Sequence, residues 1–377
     1  MKYDVISGDS HIDMTWMPGT LFVEMAPPKF KKDVPQIVQK PDGPHWVAEG
    51  KDLGVYGGLG FGFTKPERGH SKHVDKMYEY GFYEGGPHPT TPELRLKDMS
   101  VDGIDAEVIY GILGVGMRFQ NKEMTQAVYE IYNSWAAEFC KKEPGRWAAL
   151  ACIPNHDPKI AASELRRAAR LGLKGADFAV ATAVKPVWHR DWDVFWEAAG
   201  ETGLPISFHT TGPNVREPND PAMAKEYDEA FRMVKISLFQ VCGSEYLASA
   251  IFGGACERYP DFKFVLGECG ITWLPHVLNR MDEEFIDRRA QNKGLSMKPS
   301  EYWSRQGYST YQHEVGLADF VPMVGEDRVI WGSDYPHPDG IWPESKKWIE
   351  EDLEGVSAKA RKKITRDNAG KLYGFLK

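Results

Sequence analysis

Eight short runs along the chain are apolar and β-rich, and each reads as a buried strand bounded by turn residues. In order they are DVISGDSH near the start, AEVIYGI from Ala106, WAALACIP from Trp147, GLKGADFA from Gly172, LPISFHTT from Leu204, FKFVLGECG from Phe262, YSTYQ from Tyr308 and RVIWGSDYP from Arg328. Stretches of helical period lie between them: KEMTQAVYEIYNSWAAEFCKK, then DPKIAASELRRAARLG with Pro158 placed for a first turn, then WDVFWEAAGETG ending on Gly203. Alternating strand and helix implies parallel strands joined by crossovers. Eight such units fit a closed α/β barrel, (β/α)8, better than an open doubly wound sheet, and no G-x-G-x-x-G follows the first strand to suggest a dinucleotide fold. The pattern predicts one barrel domain over residues 1–377; the alternative is an open sheet with a separate lobe.

One segment breaks the rhythm. From about Met14 to Pro92 the chain is rich in Pro and Gly with aromatics between them (PPKFKKDVPQ, YGGLGFGF, YEYGFYEGGPHP) and holds no sustained period. It follows the first strand, so in a barrel it is an insertion on the C-terminal face, where such enzymes place substrate loops. Its Phe, Tyr and Trp content argues that it packs on something, and 14–92 is expected to cap the barrel mouth.

Composition then removes several functions. A net charge of -8 and the lack of any long Lys/Arg block argue against a nucleic-acid partner; the short run KARKK at 359–363 reads as a solvated helix face. No apolar run approaches the roughly 20 residues of a membrane span. Asp4, Asp9 and Asp13 fall where a signal peptide would be apolar, so a cytoplasmic protein is expected. Cys140, Cys152, Cys242, Cys256 and Cys269 are odd in number and form no C-x-x-C pair, which predicts free, mostly buried thiols.

In a barrel, a residue at the C-terminal end of a strand is placed for chemistry. The ionisable residues at those ends are Asp9 and His11 after strand one, His209 after strand five, Glu268 after strand six and Asp334 after strand eight. Singly, His11 suits a hydrogen-bonded structural histidine and Asp9 a turn. Together, three carboxylates and two imidazoles converging on one axis would repel unless protons or a cation neutralised them, and one divalent metal is the simplest solution.

The opening D-x-H, the strand-five FH, the stretch FGGACERYPDFKFVLGECGITWLPHVLNRMD and the closing WGSDYPHP resemble the amidohydrolase superfamily. More narrowly they resemble amidohydrolase family 2, the branch containing aminocarboxymuconate-semialdehyde decarboxylase and γ-resorcylate decarboxylase. The resemblance implies a distorted TIM barrel with one divalent ion, zinc or manganese, at its C-terminal face, and carries the ligand roles to Asp9, His11, His209 and Asp334. It also implies a homodimer. Two positions depart from the family: Asp9 stands where many members have His or Glu, and Glu268 stands where a His is common. Lys174 raises the alternative of a carboxylated lysine bridging two ions, but its Gly neighbours and early place in its run favour a mononuclear site.

Such an ion makes bound water a nucleophile at neutral pH, with Asp334 as base and Glu268 sharing that duty or serving as a ligand. Hydrolysis is therefore the first expectation. Non-oxidative decarboxylation is the second, weakened because an anionic Glu268 would repel a substrate carboxylate. A barrel that has lost activity and serves as a binding protein is the third, and the complete strand-end set argues against it. Arg216, Trp273 and the aromatic insertion suggest a small, cyclic or aromatic, carboxylate-bearing substrate, with His337 beside it. His313 and His189 read as supporting or structural residues.

Overall fold

The computed structural model describes residues 2–59, 62–210, 212, 220–287 and 294–377. Its frame is an eight-stranded parallel sheet with helices around it, in the order β1 (Ile6–His11), β5 (Ala106–Tyr110), β6 (Trp147–Cys152), β7 (Gly175–Asp177), β8 (Ile206–His209), β9 (Phe264–Gly267), β10 (Gly307–Tyr311) and β11 (Val329–Trp331). Every one of the eight predicted runs contributes a strand. The order is sequential because each crossover returns to the neighbouring position, as short right-handed connections favour. β11 reaches β1 through a parallel bridge between Ser10 and Tyr335, with His11 N donating to Tyr335 O at 2.6 Å and Asp334 N to Asp9 O at 3.0 Å. These bonds bring the sheet round into a barrel.

Local chemistry starts and stops the outer helices where the pattern places them. The Asn121 side chain accepts from Glu123 N and Met124 N to cap the helix Lys122–Lys142. Asp157 caps Pro158–Leu171 in the same way, and Gly172, at φ 88°, ends it in a left-handed turn. The apolar stripes of these helices pack on strands β5 to β7 in a core that includes Val128, Phe139, Leu165, Phe178 and Trp196. A smaller cluster fills the barrel interior: Ile6, Val108, Leu150, Val265 and Ile330, closed below by Tyr3 and Tyr373. Each such side chain gains roughly 1.5–3 kcal/mol on leaving water, so the strand ends are held by a stiff scaffold.

The segment 14–92 contains regular structure that its composition concealed. A three-stranded antiparallel sheet runs through β2 (Gln36–Lys40), β3 (Gly43–Ala48) and β4 (Lys51–Val55), and a helix follows at Lys72–Glu79. Trp16, Met77 and Phe82 from this segment pack against Tyr335 and Trp342 of the loop after β11. The first barrel helix is Pro92–Asp102. Arg95 on that helix is fully buried; its guanidinium donates to Glu107 Oε2, Ser10 Oγ and the carbonyls of His11 and Pro89. One helix residue therefore fixes the end of β1.

Candidate metal centre and its cavity

Strand β1 is buried along its whole length, and its period of two sends Asp9 and His11 to the same side. Gly332 is required beside them: a Cβ there would stand 2.4 Å from the Cβ of Asp9, so the WGSD stretch can pass only as glycine. Around this point His11 Nε2 lies 3.4 Å from Asp9 Oδ1 and 3.0 Å from Asp334 Oδ1. His209 Nε2 lies 3.7 Å from Asp9 Oδ1 and 3.5 Å from Glu268 Oε2. Asp9, His11 and His209 offer ligand atoms within 4.8 Å of one another, and so do His11, Asp334 and His337. The two groups share His11, and the five predicted strand-end residues meet in one place.

Surrounding groups orient these donors. Thr310 Oγ1 donates to Asp9 Oδ2 at 2.7 Å and accepts from Glu268 N at 2.6 Å. His209 Nδ1 faces Thr210 O at 3.0 Å, which turns Nε2 toward the cluster. His337 stacks on His11 with ring centroids 3.9 Å apart; its Nδ1 is 2.9 Å from Asp334 Oδ1 and its Nε2 3.0 Å from Asp13 Oδ2. Glu268 and Asp334 both sit at positive φ, 54° and 55°, a conformation that a non-glycine residue holds only at an energetic cost.

Electrostatics ask for positive charge. Burial works to raise the carboxyl of Asp9, yet the close approach and charge of His11 and His209 outweigh it and hold Asp9 well below the ordinary carboxylate range. For Asp334, burial is likewise opposed and outweighed, here by His337 and His11. Burial would lower His209, but Asp9 and Glu268 raise it to about 10. Glu268 is pushed well above the usual range by burial and then by the charge of Asp334. Asp9 Oδ1, His11 Nε2 and His209 Nε2 are buried and make no hydrogen bond. Buried polar atoms left facing one another in this way suit a bound cation, and two imidazoles with two carboxylates make a donor set that fits one divalent ion, zinc or manganese.

A cavity of about 760 Å³ opens over the cluster, lined by His11, His209, Glu268 and His337 among others. Several lining acids escaped the sequence reading, notably Asp177. It ends β7, is 2% exposed, has an unpartnered Oδ1, and is pushed up to about 6 by burial. Its signal is present in GLKGADFA, where an acid closes an apolar run. Lys174 precedes β7 and is exposed, so it stands at the wrong end of the strand to bridge ions. Trp273 is not among the lining residues; its indole N–H donates to Cys269 O at 2.6 Å. Arg216 lies outside the described residues. All five cysteines are free, and Cys152, Cys256 and Cys269 are buried. Among the described residues no helix is long and apolar enough to cross a membrane.

A parallel barrel with acids and imidazoles gathered at its strand ends is the framework of a metal-dependent enzyme. The chain belongs to the amidohydrolase family, whose model matches residues 45–375. A γ-resorcylate decarboxylase from Polaromonas sp. (strain JS666) is 27% identical over 258 residues, covering 64% of this chain and 74% of the relative. Among solved structures, an amidohydrolase from Mycobacterium avium subsp. paratuberculosis K-10 superposes with a TM-score of 0.76 at 21% identity, covering 99% of this chain and 100% of the other. A dihydroxybenzoic acid decarboxylase from Polaromonas sp. JS666, with bound manganese and the inhibitor 2-nitroresorcinol, superposes with a TM-score of 0.63 at 19% identity, over 99% and 97% of the chains. These relatives correct the expectation of hydrolysis: within the family, the chain stands beside enzymes that remove CO₂.

Proposed function

We propose that this protein is a divalent-metal-dependent carboxy-lyase that releases CO₂, without an oxidant, from a small aromatic or unsaturated carboxylic acid. The observation that carries the reading is the similarity to a γ-resorcylate decarboxylase over 64% of the chain. In this reading Asp9, His11, His209 and Asp334 hold the ion, and manganese is favoured over zinc because a neighbouring decarboxylase structure contains it. When bound, the ion supplies a Lewis acid for the substrate carboxylate and an adjacent oxygen.

The chain's own groups supply the rest. Decarboxylation needs a proton on the carbon that loses CO₂; as the C–C bond breaks, its electron pair returns to the ring and CO₂ leaves. Glu268 provides the proton, since burial and the charge of Asp334 favour its protonated form, while Asp334 stays ionised beside it. A protonated Glu268 presents no charge to a substrate carboxylate, which removes the electrostatic objection to decarboxylation. Gln312 Nε2 steadies its Oε1 at 3.2 Å. Met14, Thr15 and Phe63 bring the 14–92 insertion to the cavity, and we read that segment as a cap that excludes water from the reacting carbon.

Manganese-loaded protein should release CO₂ from at least one member of a hydroxybenzoic acid panel. Glu268→Gln should cut that turnover at least about a hundredfold, the typical weight of a general acid. Acid release from esters, lactones or amides, with no CO₂ from any aromatic acid, would overturn the proposal.

A further inference from the structure

The loop after β9 carries Glu268 and takes its shape from a neighbouring strand end. Glu268 lies at φ 54° and Gly270 at φ 66°, and the helix Leu274–Ile286 begins four residues further on. Glycine adopts such a turn freely, but a glutamate does not, so the path through Glu268 is not set by local preference. Contacts from outside the loop hold it.

Those contacts come from β10 and the residues just past it, at alternate positions. Thr310 Oγ1 accepts from Glu268 N, and Gln312 Nε2 donates to Glu268 Oε1. Glu314, 8% exposed, reaches further along the loop. Its Oε2 accepts from Ile271 N at 2.7 Å, and its Oε1 accepts from Thr272 N at 3.1 Å and Thr272 Oγ1 at 2.7 Å. Gly270 is bound from β10 as well, its N–H donating to Thr310 O at 2.9 Å and its carbonyl accepting from Ser309 Oγ at 2.7 Å. The loop is pressed so close that a Cβ at Gly270 would stand 2.7 Å from Glu314 Oε1. A carboxylate is costly to bury unless donors surround it, and these three donors all belong to the segment that follows Glu268. A helix starts directly beyond them, so the Glu314 charge also sits at the favourable end of its dipole.

Glu314 is not among the described residues that line the cavity. We infer that it is a positioning residue for the proton donor: by clamping Ile271 and Thr272 it fixes the loop that aims Glu268 at the reacting carbon. The inference rests on the carboxy-lyase reading for the role of Glu268, and on hydrogen-bond geometry alone for the clamp.

The test uses the manganese-loaded protein and a hydroxybenzoic acid that the parent decarboxylates. Glu314→Leu should lower kcat by about 10- to 100-fold, the cost of a misaimed group, with KM and bound manganese unchanged. Glu314→Gln keeps an acceptor oxygen and should recover part of that loss; if the leucine variant does not fold, the glutamine variant carries the same comparisons. In a Glu268→Gln background, Glu314→Leu should cost less than about twofold more, because nothing is left to aim. The full loss repeated in that background, a fall in kcat matched by lost manganese, or an unchanged kcat overturns the inference. Hydrogen exchange reads the clamp without turnover: amides over 268–273 should exchange at least about tenfold faster in Glu314→Leu, while those of β1 keep their rates. If the parent releases CO₂ from no acid, the carboxy-lyase reading falls and the role in aiming a proton falls with it, whereas the exchange result still decides the clamp. Unchanged exchange overturns the clamp in either case.

Discussion

Thr310 touches two of the acids that matter and carries no charge of its own. Its hydroxyl donates to Asp9 and accepts from the backbone N–H of Glu268, so one side chain ties the first barrel strand to the sixth. The Asp9 oxygen bonded to Thr310 is the one turned away from the cluster; the other faces His11 and His209. Thr310→Val keeps the shape and removes the hydroxyl, leaving Asp9 free to rotate and a buried N–H without a partner. Loss of a supporting bond of this kind typically costs about 10- to 100-fold in metal affinity. Titration of the apoprotein with manganese should show that loss, and an unchanged affinity would mean that the hydroxyl orients nothing.

At the scale of elements, the helix Pro92–Asp102 serves the site through both ends of its sequence. Near its start Arg95 clamps β1, and at its last position Asp102 accepts from Ser345 N at 2.8 Å and Ser345 Oγ at 2.5 Å, joining it to the helix Ser345–Asp352. Burial nevertheless pushes Asp102 up to about 7. A carboxyl raised on folding binds more protons in the folded state than in the unfolded chain between its ordinary value near 3.8 and about 7, so its contribution to stability falls as pH rises through that window. Asp102→Asn should flatten the pH dependence of Tm between about 4 and 7; a slope identical to that of the parent would show that Asp102 does not titrate there.

The same scale shows what could be read in advance. The eight barrel strands were legible because strands buried on both faces are continuous apolar runs, and the strand-end acids stood out against them. The antiparallel strands of the insertion were not, since Gln36–Lys40 and Lys51–Val55 are exposed or half-exposed and interrupted by polar residues. Asp13 and Gln312 are hidden for a related reason: each gains meaning only from neighbours distant in sequence, His337 for Asp13 and Glu268 for Gln312. The reaction is not legible in Glu268, whose charge by itself argues against a carboxylate substrate; the similarity to decarboxylases is what reverses that expectation.

For the whole molecule, closure and chemistry depend on the same contacts. The backbone bond from Asp334 to Asp9 joins the last strand to the first, and the side chains of both residues face the cluster. An ion held by Asp9, His11, His209 and Asp334 therefore staples the first, fifth and eighth strands. Ligand present at a hundred times its Kd stabilises a fold by about 2.7 kcal/mol. Chelation should accordingly lower Tm by several degrees, and manganese should restore it. A Tm indifferent to chelator and to added metal would mean that the barrel closes without help from an ion.

The positive φ values of Glu268 and Asp334 carry a further consequence. Glycine would adopt either conformation freely, while a carboxylate residue there sacrifices on the order of 1–3 kcal/mol. Two acids at such positions mark places where side-chain chemistry outweighs the local preference of the backbone.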